Sequence, residues 1–335
     1  MLPLEYSKML IDKTAPAFSF DPNQDIMEFQ NAGKDRLRHL LGLHNMKSSR
    51  TQSNIMVEYD KIAEDLDCRE IRFIVESEKN VFVPCHLFIP KDYTNQPLII
   101  ALHGHSTGMH ILAGRKKYSI DQQTIDDQNC DFAKQAINQG FAVLTLEHRG
   151  FGERGGNEKG SLCSELALRA IMIGRTLIGE RVFDTMRVID AVCSNFCEKI
   201  ECSKIICIGY SGGGTIATYL SALDKRIYHS VIVSAISTFK DSIGAMPHCP
   251  CNYIPKIASE FDMGEICQLI APRSLTIVSG MHDKLFPIHG AKESSEKAIL
   301  AYQTQNAQNN LVHIITKGDH KFYPDEIWNH LKMYK

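Results

Sequence analysis

The chain has 335 residues, 44% hydrophobic and 23% charged, with a formal net charge of −2. These values are ordinary for a globular protein holding one large domain or two small ones. With no basic tract and no apolar run near the ~18 residues of a bilayer span, nucleic acid and membrane are excluded as expected partners.

Read in chain order, residues 1–66 are mostly helical in pattern, with a polar break from Lys47 to Ser53. Charged and apolar residues recur at helical spacing from Asp25 to Leu43, which predicts an N-terminal helical extension packed on a main domain at 67–335. The first residues, Met-Leu-Pro-Leu-Glu-Tyr-Ser-Lys, lack a basic and then apolar leader, so a cytoplasmic protein is expected. Ile71 to Glu76 and Val81 to Ile89 read as a strand pair joined near Glu78-Lys79-Asn80. Pro97 to Leu102 is a continuous apolar run, as for a strand covered on both faces. A helix is predicted over 126–139 and a buried strand over Phe141 to Leu146. A long helix is predicted over Glu180 to Phe196, and a strand over Ile205 to Ile208. Strands follow at Val231 to Ala235, Leu275 to Ser279 and Val312 to Ile315, with helical patterns over 262–270 and 290–308. Such alternation predicts an α/β fold: a mostly parallel central sheet with helices on both faces. The stretch 237–262, rich in Pro, Cys and His, reads as a pocket-shaping insertion after a strand.

The chemistry gathers at the carboxyl ends of these strands, where such sheets build their sites. Gly209-Tyr210-Ser211-Gly212-Gly213 follows a strand and precedes a helix-like stretch from Thr215 to Leu223. That is G-x-S-x-G in the strand–turn–helix setting that lifts a serine above the sheet. A serine hydroxyl needs a base, most often a neutral His oriented by an acid, in the chain order Ser, Asp or Glu, His. Asp283 follows a strand in Gly280-Met281-His282-Asp283, and His320 follows the last strand in Gly318-Asp319-His320. His313 and His330 fit less well as the base. Asp262 is a rival for the acid, as is Asp319, whose adjacency to His320 makes the turn onto its ring awkward. An oxyanion hole needs two backbone donors. Gly212 is the expected first donor and His105, in the strand-end loop His103-Gly104-His105-Ser106, the second, with Ser106 as the rival.

Arg149, in the Gly-rich turn Glu147 to Gly156, is expected to anchor loops near the pocket rim, and Tyr210 to support the pocket. The 11 cysteines mostly lie in apolar segments, which suits small reduced core residues. Three places invite a metal reading: Cys193 with Cys197, four apart on an expected helix; His248-Cys249-Pro250-Cys251; and His103-x-His105 with His110 nearby. A structural zinc site takes about four ligands, and none of them has a second cluster at matching spacing, so unlinked thiols or a local loop disulfide is the rival reading of the cysteines. The expectation is therefore no metal.

In these residues the chain resembles the α/β-hydrolases, and more narrowly their dienelactone hydrolase and acetyl xylan esterase branch. His103-Gly104-His105, Arg149-Gly150-x-Gly152, Gly209 to Gly213, Gly280-x-x-Asp283 with Phe286-Pro287, and Gly318-x-His320 match in order and approximate spacing, over about residues 70–335. The chain departs from the branch in three places. It carries serine where dienelactone hydrolases carry cysteine. It has His-Gly-His where the acetyl xylan esterases usually show a Gly-Tyr-type turn. It also has the Cys249-Pro250-Cys251 insertion. The resemblance implies the α/β-hydrolase fold and a serine esterase with a Ser211, Asp283, His320 triad, acting on a small or carbohydrate-linked ester without a cofactor. The alternatives are a serine peptidase of the prolyl-oligopeptidase type and a non-catalytic ligand-binding scaffold. Residues 1–66 are too few to build the all-β gating domain such peptidases usually carry. The sequence gives no indication of oligomeric state.

Overall fold

The computed structural model describes residues 1–47 and 55–334. In chain order the elements are α1 (Pro3–Lys13), α2 (Ile26–Leu40), β1 (Ile55–Ala63), β2 (Cys68–Glu78), β3 (Val81–Pro90), β4 (Pro97–Leu102), α3 (Asp121–Gln128), α4 (Phe132–Asn138) and β5 (Val143–Leu146). There follow α5 (Cys163–Met172), α6 (Leu177–Phe196), β6 (Glu201–Tyr210), α7 (Gly212–Leu223), β7 (Ile227–Val233), α8 (Ile257–Glu260), α9 (Met263–Gln268), β8 (Ser274–Gly280), α10 (Ile288–Thr304), β9 (Leu311–Thr316) and α11 (Pro324–Leu331).

The strands form a single sheet in the order β1-β2-β3-β5-β4-β6-β7-β8-β9. Pairing is antiparallel from β1 through β3 to β5 and parallel from β5 to β9. The period-two rule sorts the side chains of the central strands. Leu98, Ile100 and Leu102 of β4, with Ile205 and Cys207 of β6, enter one apolar layer. Their neighbours Ile99, Ala101, Ile206, Ile208 and Tyr210 enter the other. Helices α2, α6, α7, α9 and α10 cover the first face, through Leu37, Val188, Leu220, Ile266 and Ala298. Helices α3, α4 and α11 cover the second, through Ile125, Phe132 and Ile327. Burial on both faces is why the parallel strands read as unbroken apolar runs.

The β2–β3 hairpin turns at Lys79-Asn80, as expected. Asn80 takes a left-handed φ of 63° and donates its amide to Glu76 Oε1 at 2.7 Å. Thr176 caps the start of helix α6, its hydroxyl accepting the Gly179 amide at 3.0 Å.

Four details differ from the sequence reading. Residues 55–63, inside the expected helical extension, are an edge strand, and residues 64–67 turn it into β2. The expected boundary between 66 and 67 thus passes through one hairpin. The polar break expected from Lys47 to Ser53 lies almost wholly outside the described residues. The helix expected over 126–139 is two helices, parted where Asn129 takes a φ of 52°. Helix α5 was not expected. Finally, β6 starts at Glu201 and β7 at Ile227, each four residues earlier than read.

Candidate active site

Strand β6 delivers Ser211 into a turn with φ 53° and ψ −120°, a conformation that costs on the order of 1–3 kcal/mol outside glycine. Packing holds it there. A Cβ on Gly213 would strike the Leu102 carbonyl oxygen, and one on Gly209 would strike the Gly213 carbonyl oxygen. Only glycines let α7 start this close to the ends of β4 and β6. The Ser211 amide donates to the Val233 carbonyl at 2.9 Å, tying the turn to the end of β7.

The loops after β8 and β9 bring the partners. His320 Nε2 lies 2.8 Å from Ser211 Oγ, and His320 Nδ1 lies 2.8 Å from Asp283 Oδ2. Asp283 is buried, and its Oδ1 accepts the amides of Leu285 and Phe286 at 2.8 and 3.0 Å. Those two bonds fix which oxygen faces the imidazole. The ring of His320 lies between Tyr210 and Phe286, at centroid distances of 5.4 and 6.0 Å. Tyr210, whose phenol burial pushes strongly toward the neutral form, donates its OH to the His320 carbonyl at 3.0 Å. The arrangement can do general-base chemistry: a hydroxyl on one ring nitrogen, a carboxylate on the other. The rivals Asp319 and Asp262 lie elsewhere. The Asp319 carbonyl accepts the Tyr323 phenol, and Asp262 caps α9.

The Gly212 amide opens α7, and neither it nor the His105 amide donates a hydrogen bond among the described residues. The two are neighbours: a Cβ on Gly212 would lie 3.8 Å from the His105 amide nitrogen. Above Ser211 opens a cavity of about 300 Å³, lined by Tyr210, Gly212, His105 and His320 and also by Gln128, His248, Cys249, Asn252, Leu285 and Phe286. The 237–262 stretch supplies the lining residues Pro247, His248, Cys249 and Asn252. Gln128 was missed by the sequence reading. It ends α3 just before the Asn129 break, and that break is the one local signal that could have found it.

Arg149 does not line this cavity. It pairs with the carboxylates of Glu78, Glu180 and Asp184 at 2.8, 3.1 and 2.8 Å. Arg154 joins it on Asp184 at 2.7 Å. These residues anchor the turn after β5.

Two of the places considered for a metal behave differently. His103 faces Glu147 and His110 faces Asp121, at 3.3 and 2.9 Å. His248 turns to the cavity, its ring edge-on to Phe286. His105, however, meets Cys249 and Cys251, together with Cys163 from the first turn of α5. Their four ligand atoms lie within 4.8 Å of one another. The expectation of no metal rested on the lack of a second cluster at matching spacing, and the fold supplies that cluster from separate loops. Within the group, hydrogen bonds from Cys249 and Cys251 hold the Cys163 thiol far below its ordinary range, against burial. Although burial opposes it, contact with Cys163 and Cys249 raises the His105 imidazole to about 9.

No protein-family model matches the chain. Over 229 residues it is 27% identical to the "Putative hydrolase YtaP" of Bacillus subtilis (strain 168), covering 67% of this chain and 73% of that one. Among solved structures it superposes on a putative acetyl xylan esterase from Bacteroides fragilis NCTC 9343 with a TM-score of 0.78 at 14% identity, covering 95% of this chain and 83% of that one. It also superposes on a glucuronoyl esterase from Solibacter usitatus with a TM-score of 0.68 at 13% identity, covering 96% and 98%. The sheet, its helical layers and these superpositions agree: the chain has the α/β-hydrolase fold.

Proposed function

We propose that the chain is a serine carboxylic-ester hydrolase acting on a small or carbohydrate-linked ester, deacetylation included. The observation that carries this reading is the unbroken line from Ser211 Oγ through His320 to Asp283, with both links at 2.8 Å, at the base of the cavity. The esterase names of the structural neighbours support the substrate class. His320 Nε2 takes the Ser211 proton as Oγ attacks the ester carbonyl. Asp283 holds the imidazole with Nδ1–H toward itself and stabilises the imidazolium that forms. The amides of Gly212 and His105 receive the charge on the tetrahedral oxygen. The imidazolium then protonates the departing alcohol. A water activated by the same imidazole attacks the acyl-enzyme, releasing the acid and restoring Ser211. No cofactor takes part.

The lining suits a short acyl group on a polar alcohol. Tyr210, Leu285 and Phe286 are apolar, while Gln128, His248 and Asn252 offer hydrogen bonds. No helix of the described residues is long and apolar enough to cross a membrane. The many buried free thiols suit a reducing compartment, and we place the protein in the cytoplasm on that ground.

An ester-library screen tests the reading, with Ser211→Ala as control and a fluorophosphonate as label. Turnover of short acyl esters, loss of that turnover in the variant, and labelling at Ser211 support it. Equal rates in wild type and variant, or a protein inert to the label, overturn it. Cleavage of aminoacyl-arylamides in preference to esters would make it a peptidase instead.

A further inference from the structure

Three thiols and an imidazole converge beside the cavity, from segments far apart in the chain. Cys251 Sγ lies 3.3 Å from Cys249 Sγ and 3.4 Å from His105 Nε2, and Cys163 Sγ lies 3.9 Å from the same nitrogen. In a tetrahedral zinc site with Zn–S bonds of about 2.3 Å and a Zn–N bond of about 2.0 Å, neighbouring ligand atoms stand about 3.5–3.8 Å apart. The observed spacings bracket that range. A disulfide would use two sulfurs and leave the third thiol and the imidazole without a reason to converge.

A second observation comes from charge. Arg181 is 1% exposed, and no carboxylate lies within ion-pairing distance of it among the described residues. Its guanidinium donates to Cys163 Sγ at 3.0 Å and to the Arg149 carbonyl at 2.7 Å, and lies over the Phe151 ring at 4.8 Å. A buried cation needs a counter-charge. Three thiolates, one neutral imidazole and a divalent ion sum to one negative charge, which Arg181 balances.

We propose that His105, Cys163, Cys249 and Cys251 bind one zinc-class divalent ion, in a closed tetrahedral site that staples the pocket wall. Three sulfurs and one nitrogen in tetrahedral array select zinc, or iron as a thiophilic competitor, over calcium or magnesium. Four protein ligands leave no open position, so the ion is structural and does no Lewis-acid chemistry on the ester. It joins three segments: the loop after β4 through His105, the start of α5 through Cys163, and the 237–262 stretch through Cys249 and Cys251. Binding through Nε2 leaves Nδ1 of His105 carrying its proton. It also fixes the backbone whose amide faces Gly212. The site stands whether or not the protein hydrolyses esters.

The test is elemental analysis of the full chain, purified without chelator, by plasma mass spectrometry. It is paired with cobalt exchange and a non-reducing mass measurement. The expected result is about one zinc per chain and, after exchange, thiolate-to-cobalt charge-transfer absorption. Since even second-shell changes cost 10–100-fold in metal affinity, Cys251→Ser and Cys163→Ser should weaken binding at least about tenfold. Cys197→Ser, at an exposed site outside the cluster, should keep the ion. His105→Ala removes the one nitrogen ligand, and its far-ultraviolet circular dichroism separates metal loss from unfolding. Ser211→Ala should keep full zinc even though it is expected to lose hydrolysis, so the two proposals fail separately. Wild-type protein that takes up neither zinc nor cobalt overturns the site. A disulfide among Cys163, Cys249 and Cys251, or ligand variants with undiminished affinity, does the same.

Discussion

The Ser211–His320–Asp283 line and the His105–cysteine group both reach the lining of the cavity, through Ser211 and His320 and through His105 and Cys249, but rest on different scaffolds. Ser211, Asp283 and His320 each follow a strand of the parallel sheet, β6, β8 and β9. Backbone hydrogen bonds in the β6–β9 ladder set how those strand ends lie together. Cys163 and Cys251 lie 58 and 146 residues after His105 along the chain, and the three sit on loops and a helix start, outside any ladder. Geometry imposed by a sheet tolerates the loss of one side chain. Geometry imposed by loops needs a cross-link, and a tetrahedral ion is such a link.

The comparison breaks most sharply at Ser211. Ser211→Ala removes the proposed nucleophile without touching the ladder, so kcat for a short p-nitrophenyl ester should fall by roughly 10⁴-fold or more. The thermal midpoint should stay at or above that of the wild type, because alanine gives up no packing there. Asp283→Asn is expected next in size. It keeps an acceptor for the Leu285 and Phe286 amides but can present an N–H to His320 Nδ1, favouring the wrong tautomer. A fall of about 10⁴-fold in kcat is the upper bound for such a change. Single-turnover acylation checks that the loss lies in attack rather than in substrate binding.

Removing the ion should act on the other scaffold and by less. Without it the His105 loop keeps its amide but loses its fixed position. The fall in kcat should then stay below the roughly 10²–10³-fold that loss of an oxyanion donor costs, with KM nearly unchanged. Dialysis against a chelator, followed by zinc add-back, measures this. A loss of activity with no recovery on add-back, while circular dichroism stays native, would separate the ion from the loop.

The same contrast governs what could be read in advance. Ser211, Asp283 and His320 were legible because each motif lies within a few residues of an apolar run, and the run declares the strand. The α/β alternation was legible for the same reason: β4, β5 and β8 are buried along their whole length, β7 at all but one residue, and β6 over its last six residues. Strand β1 was not. Among the described residues it pairs only with β2, and of its nine residues only Ala63 is buried, so its apolar residues carry neither a strand nor a helix period. Helix α5 hides similarly, since Leu168 and Met172 are exposed and blur its apolar stripe. The thiol group was the least legible. Metal spacing rules apply to ligands on one or two short loops, and here Cys163 stands alone on its helix, far from Cys249 and Cys251.

The smallest effect concerns what lies beneath both clusters. Arg181, which touches Cys163, also donates to the Arg149 carbonyl, and Arg149 pairs with buried Asp184. Burial alone would raise the Asp184 carboxyl, but the Arg154 and Arg149 guanidiniums and the Ser77 hydroxyl hold it down, at about 2. An acid held below its unfolded value of about 3.9 contributes stability that is complete above that value and is lost as pH falls through 2, here about 3 kcal/mol. Urea unfolding should therefore show Asp184→Asn less stable than wild type by about that amount at pH 7. The two curves should converge as pH drops from about 4 toward 2. If they stay parallel across that window, Asp184 is not the titrating group, and the turn after β5 is held by Glu78 and Glu180. If they converge while kcat at pH 7 is unchanged, the network stabilises the wall without placing the reacting atoms, and fixing the His105 loop is left to the ion.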